Sequence, residues 1–143
     1  MQHSTPLYPC LWFDGNARTA VQFYCEVFDG DIISENPMVL IFRIRGQQYM
    51  ALNGGPQYQF TPAISLVVTC DTQDEIDLYW EMLGNNGHYQ PCGWLTDQFG
   101  VSWQVVPKVL PTLMNNPQRG AAVLQALLKM QKIDIAVLEQ ASA

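Results

Sequence analysis

The chain has 143 residues, 48% of them hydrophobic, with seven Lys and Arg against 13 Asp and Glu and a formal net charge of -6. This is enough chain for one domain with a real core, and its scattered basic residues form no stripe for a phosphate backbone, so nucleic acid is not an expected partner. No apolar run approaches the roughly 20 residues that span a bilayer, so no membrane is expected either. The start, MQHSTPLYP, lacks the charged head and apolar run of a signal peptide. Cys10, Cys25, Cys70 and Cys92 stand apart with no C-x-x-C pair. They read as buried thiols in a reducing cytoplasm rather than as a zinc knuckle or a disulfide scaffold.

Leu7 to Phe13 is short, apolar and aromatic, and reads as a strand ended by the turn residues Asp14-Gly15-Asn16. Ala17, Ala20, Val21, Tyr24 and Phe28 follow at helical spacing, and Gly30 stops the helix. Ile32 to Glu35 is a short strand. Met38 to Arg45 and Gln47 to Asn53 form a hairpin turning at Gly46, after which Gly54-Gly55-Pro56 breaks the chain and Gln57 to Thr61 is a linker. Ala63 to Cys70 is the next strand. A second helix carries Ile76, Tyr79, Trp80 and Leu83 and ends near Asn85-Asn86-Gly87. A loop runs through Pro91 to the hairpin in CGWLTDQFGVSWQVVP, where Val101, Trp103 and Val105 alternate with Ser102, Gln104 and Val106. The spacing of Ala121, Leu124, Leu128, Met130, Ile135 and Leu138 predicts a C-terminal helix over about 117–141.

The chain therefore says strand, helix, strands, and says it again. Asp14 to Asp71 and Gly30 to Gly87 are both 57 positions apart, and Gly46 to Gly100 is 54. Matched landmarks of this kind mark an internal repeat whose copies cannot each cover a sheet alone. The expected fold is α+β: two βαβββ modules, over about 5–56 and 62–107, forming a curved mixed sheet around a cleft, plus the C-terminal helix, all in a single domain.

Three stretches carry a family resemblance. They are Leu11-Trp12-Phe13-Asp14-Gly15-Asn16, then Phe23-Tyr24-x-x-Val27-Phe28-x-Gly30, and above all Gly93-Trp94-Leu95-x-Asp97-x-Phe99-Gly100-x-x-Trp103-Gln104. With Met130-x-Lys132-Ile133-Asp134-Ile135-x-x-Leu138 in the tail, the sequence resembles the PhnB-like branch of the vicinal oxygen chelate superfamily, which includes glyoxalase I and ring-cleaving dioxygenases. The resemblance implies a homodimer. It also implies, for the superfamily's enzymes, one divalent metal held by His, Glu or Gln on the first and last strands of each module, acting as a Lewis acid.

The equivalent positions fall near Pro9, Met50, Leu66 and Gln104, of which Gln104 alone offers a metal an oxygen. The segments around them contain no His, Asp or Glu, the donors that hard and borderline cations want. No catalytic metal and no cofactor are therefore expected. The branch is often labelled a ubiquinone-pathway O-methyltransferase, but no glycine-rich strand-to-helix turn with a downstream acid marks a site for S-adenosylmethionine. His3 reads as a tail residue and His88 as a loop residue, while Asp97 reads as a turn residue bonding its own backbone. What remains is a cleft lined by aromatics on or near strands, with a small-molecule ligand as the expected partner. Trp12, Tyr49 and Trp103 are the candidate ring contacts, Ser65 and Gln104 the orienting polar groups, and Arg43 the grip for an anionic ligand. The alternative is a metal-dependent lyase, isomerase or dioxygenase-type enzyme with an atypical site.

Overall fold

The structure is a computed structural model that describes residues 6–143, so His3 lies outside the described residues. The chain divides into two compact units, Met1–Gln59 and Phe60–Ala143. The first contains β1 (Cys10–Phe13), α1 (Ala17–Phe28), β2 (Asp31–Glu35), β3 (Val39–Ile44) and β4 (Gln47–Asn53). Its four strands lie in the order β1-β4-β3-β2, with β1 parallel to β4 and the other pairs antiparallel.

The reasons are local. The helical stripe Ala17, Ala20, Val21, Tyr24 and Val27 is buried, against Leu11, Phe13, Leu40, Phe42 and Ala51 of the sheet. Each large side chain buried this way contributes about 1.5–3 kcal/mol. Asp29 enters the left-handed region and closes α1 by donating its N–H to the Cys25 carbonyl. Arg45 and Gly46 both take positive φ, 52° and 76°, which matches the twist of a two-residue hairpin.

The second unit repeats the plan with β5 (Leu66–Cys70), α2 (Gln73–Gly84), β6 (His88–Tyr89), β7 (Trp94–Thr96) and β8 (Ser102–Pro107). The order is β5-β8-β7-β6, again with the first and last strands parallel. Thr72 caps α2 by accepting from the Glu75 N–H at 3.2 Å, and Asp74 and Glu75 complement the helix N-terminus. The expected mixed sheet is thus two four-stranded sheets, one per module. The strand β6 stands where the sequence predicts a loop; at two residues it carries no periodicity. The strands β1 and β5 begin at Cys10 and Leu66, three residues later than expected in each case.

A short helix, α3 (Leu110–Met114), follows β8, and the single helix expected over 117–141 is corrected to two, α4 (Gly120–Leu127) and α5 (Ile135–Ala141). Asn116 Oδ1 accepts from the N–H groups of Gln118 and Arg119, which holds that stretch in a turn. Between α4 and α5 the backbone bonds sideways instead of along a helix. Cys92 and Gly93 donate to the carbonyls of Met130 and Gln131, both at 2.8 Å. Gln73 donates to the Ile133 carbonyl and accepts from the Ile135 N–H. Val123, Leu127, Ile133 and Leu138 form a core of their own beneath this strap, packed against Cys92 and Val106. Among the described residues no helix is long and apolar enough to cross a membrane.

Candidate functional site

Each sheet has a helix-covered face and a far face, and strand register assigns every side chain to one of them. In the first unit Cys10 pairs with Met50, Trp12 with Leu52 and Arg43 with Gln48. These alternate with the buried residues Leu11, Phe13, Leu40 and Phe42, so they stand on the far face. Tyr49 pairs with Phe42 instead. Its ring stacks on Phe42 at 5.3 Å, and Phe42 stacks on Tyr24 of α1 at 6.3 Å. Tyr49 therefore belongs to the helix side, where burial pushes its hydroxyl pKa up. Arg43 is exposed on the far face, in one row with Asp31 and Gln48. Trp12 is half-buried there, its indole N–H donating to the Gly55 carbonyl at 2.9 Å and Tyr58 meeting its ring edge-on at 4.9 Å.

In the second unit Val67 and Trp94 pair with Gln104. Gln104 donates to Ser65 Oγ at 3.0 Å, so these two candidates meet on that unit's far face. Trp103 stands on the opposite side, 2% exposed, paired with Leu66 and Leu95. Its indole N–H donates to Asp97 Oδ2 at 2.9 Å, while Asp97 Oδ1 accepts from the N–H groups of Phe99 and Val101 at 2.8 and 3.0 Å. Asp97 is thus the expected turn residue and a buttress for Trp103 as well. It is 3% exposed. The Trp103 contact escapes sequence reasoning because it crosses the hairpin; the cue was the tryptophan six residues on.

Register also moves two of the four metal-equivalent positions by one. The far-face pairs are Cys10 with Met50 and Val67 with Gln104, rather than Pro9 with Met50 and Leu66 with Gln104. Of these four side chains Gln104 alone offers an oxygen, and none offers an imidazole nitrogen. A thiol and a thioether in one unit do not fit a hard cation, which wants oxygen donors, and neither that pair nor the single amide beside an isopropyl group in the other unit supplies the three or four ligands that a borderline cation takes. Among the described residues no three His, Cys, Asp or Glu side chains are grouped to hold a metal ion. Of the four cysteines expected to be buried only Cys70 is; Cys10 is exposed, and Cys25 and Cys92 are half-buried. Partial desolvation pushes the Cys10 and Cys25 pKa values up, and the Asp31 charge adds to the effect at Cys25, so these two thiols are not primed as nucleophiles.

A pocket of about 390 Å³ lies in the first unit, lined by Arg18, Glu35, Asn36, Pro37, Leu40 and Asn53. Its polar groups serve the fold. Arg18 pairs with Glu35, Asn53 accepts from the Ala17 N–H and donates to the Pro37 carbonyl, and Asn36 Oδ1 accepts from Met38 and Val39.

The two-module plan agrees with known proteins. The family model described as 3-demethylubiquinone-9 3-methyltransferase matches residues 5–106. The chain belongs to this family, within the PhnB-like branch of the vicinal oxygen chelate superfamily. The PhnB protein from Bacillus cereus is 31% identical, with the alignment covering 72% of this chain and 99% of that one at a TM-score of 0.66. The protein PA1353 from Pseudomonas aeruginosa shares the fold at 23% identity, covering 73% and 98% of the two chains with a TM-score of 0.62. The fosfomycin resistance protein FosX from Listeria monocytogenes shares it at 16% identity, covering 73% and 91% with a TM-score of 0.55. No curated protein matches the sequence. The family match ends within β8, so α3, α4 and α5 lie beyond it.

Proposed function

We propose that this PhnB-like protein binds a small organic molecule on a far sheet face and does so without a catalytic divalent metal. The observation that carries the reading is the chemistry of the far-face pairs, Cys10 with Met50 and Val67 with Gln104. The first unit's pair supplies no oxygen and the second unit's a single amide oxygen, where a Lewis-acid site needs several hard donors. The same faces offer Trp12 in the first unit and the Gln104–Ser65 hydrogen bond in the second. A few placed polar groups among apolar surface are what small-molecule sites are made of. Arg43 is the candidate grip for an anionic ligand; Tyr49 and Trp103, on the helix sides, are left to support the fold.

The family's description names a methyltransferase, and the sequence does not favour that activity. The strand-to-helix junctions read Asp14-Gly15-Asn16 and Asp71-Thr72, without the glycine-rich turn that cradles such a cofactor. We expect a homodimer, as the family resemblance implies.

Equilibrium dialysis of the purified protein against Zn(II), Ni(II) and Mn(II), followed by elemental analysis, tests the metal half of this reading. Less than one bound ion per chain is the expected result. Stoichiometric binding that Gln104→Ala abolishes would contradict it and restore the oxygen-chelating enzyme.

A further inference from the structure

We propose that residues 54–58 form a strap that fixes Trp12 and thereby makes the far face of the first unit selective for a flat aromatic group in the ligand. This deepens the binding reading above and rests on it. The sequence presents these residues as a chain break and the start of a linker, but three features tie them to Trp12.

The Gly55 carbonyl takes the indole N–H at 2.9 Å. Gly54 lies so close to the ring that a Cβ there would sit 2.3–2.6 Å from its Cε2, Cζ2 and Cδ2 atoms, so any side chain at 54 displaces the indole. Tyr58 leans its ring edge-on against the same indole at 4.9 Å while remaining 67% exposed. An aromatic side chain left that open gains little from burial, and its measurable contact is with Trp12.

The chemical consequence follows from the donor count. An indole has a single polar hydrogen, and here it is engaged. Trp12 can therefore offer a ligand its π-system and apolar edge, but no hydrogen bond. Its row neighbours on the far face are Leu52 and Val39, which add apolar surface and no polarity. A fixed indole in such a row favours a planar ring over a saturated one of equal size, because ring–ring contact adds to burial and the indole is already ordered. Tyr58 and Gly54 are positioning residues in this scheme.

The test uses 2-naphthol and its saturated counterpart, decahydro-2-naphthol, titrated calorimetrically. Both carry one hydroxyl, and the saturated probe is at least as apolar, so burial alone gives no preference for the aromatic one. The intact protein should bind 2-naphthol about 3–10-fold more tightly. Trp12→Leu should remove the preference. Tyr58→Ala should reduce it, and Tyr58→Phe, which keeps the ring edge, should retain it. Gly54→Ala should act like Tyr58→Ala, with circular dichroism confirming the fold. A stabilising role alone for Tyr58 would change the melting temperature and leave the affinity ratio untouched. Equal affinities in the intact protein, or a ratio that survives Trp12→Leu or Tyr58→Ala, would overturn the inference and leave the binding reading standing. Binding of neither probe would overturn both.

Discussion

The Asp97 carboxylate holds the last hairpin and the buried Trp103 together, and replacing it separates those two tasks. Asp97→Asn keeps one acceptor oxygen. That oxygen can still take the Phe99 and Val101 N–H groups now bound by Oδ1, so the turn should survive. The new amide N–H₂ then faces the Trp103 indole N–H, which donates to Oδ2 at 2.9 Å in the native protein. Two donors meet in a site where Asp97 is 3% and Trp103 2% exposed, and water cannot easily reach them. A hydrogen bond to a charged group contributes about 1.5–3 kcal/mol, and an orphaned buried donor costs about 1–3; the effects overlap, so the loss should be about 2–4 kcal/mol. Against a typical stability of about 5–15 kcal/mol this is readily measured.

Urea unfolding should show a lower midpoint with an unchanged slope. Trp103→Phe removes the donor and some volume. In its background Asp97→Asn should cost about 1–2 kcal/mol less, a positive coupling within the range for residues in contact. Costs that add to within about 0.5 kcal/mol would refute the claim that these side chains support each other.

Gly93 takes a φ of 83°, and a Cβ there would lie 2.7 Å from Ile133 Cδ1 and 2.8 Å from the Val105 carbonyl oxygen. Gly93→Ala should therefore destabilise the second unit by about 1–3 kcal/mol and loosen the 130–135 strap, read as faster proteolysis there. Gln73→Ala removes a side chain that bonds both the Ile133 carbonyl and the Ile135 N–H; the Ile135 amide should lose hydrogen-exchange protection before the core strands do. The Gln73 hydrogen bond first, and then Lys132, hold the Asp77 carboxyl below its ordinary pKa. Its contribution is complete above the ordinary aspartate value and is lost as pH falls through the lower folded value. The pair is exposed, so Asp77→Asn should flatten the acid limb of the stability curve by no more than about 0.5 kcal/mol, as measured by melting at several pH values.

Much of the fold was legible because its signals are local. The helix stripes, the turns at Gly46 and Gly100 and the 57-residue offsets are all visible in sequence, and strand orders β1-β4-β3-β2 and β5-β8-β7-β6 bear out the repeat. What escaped is what depends on register. A shift of one residue moves a side chain to the other face, which is why Cys10 and Val67 replace Pro9 and Leu66, and why Tyr49 and Trp103 stand with the helices. The C-terminal stripe promised one helix because its apolar spacing continues through Met130. The backbone there bonds instead to Cys92, Gly93 and Gln73, partners far away in sequence. The Gly54-Gly55 pair was legible as a break in the chain, but the indole packed against it was not, since Trp12 lies more than 40 residues earlier.

The most direct test of the binding reading is native mass spectrometry of the untagged protein after gentle lysis, beside a denatured control. A dimer that carries an organic mass, lost on denaturation, with no stoichiometric metal is the expected result. One divalent ion per chain, removed by chelation together with a catalytic activity, would contradict it.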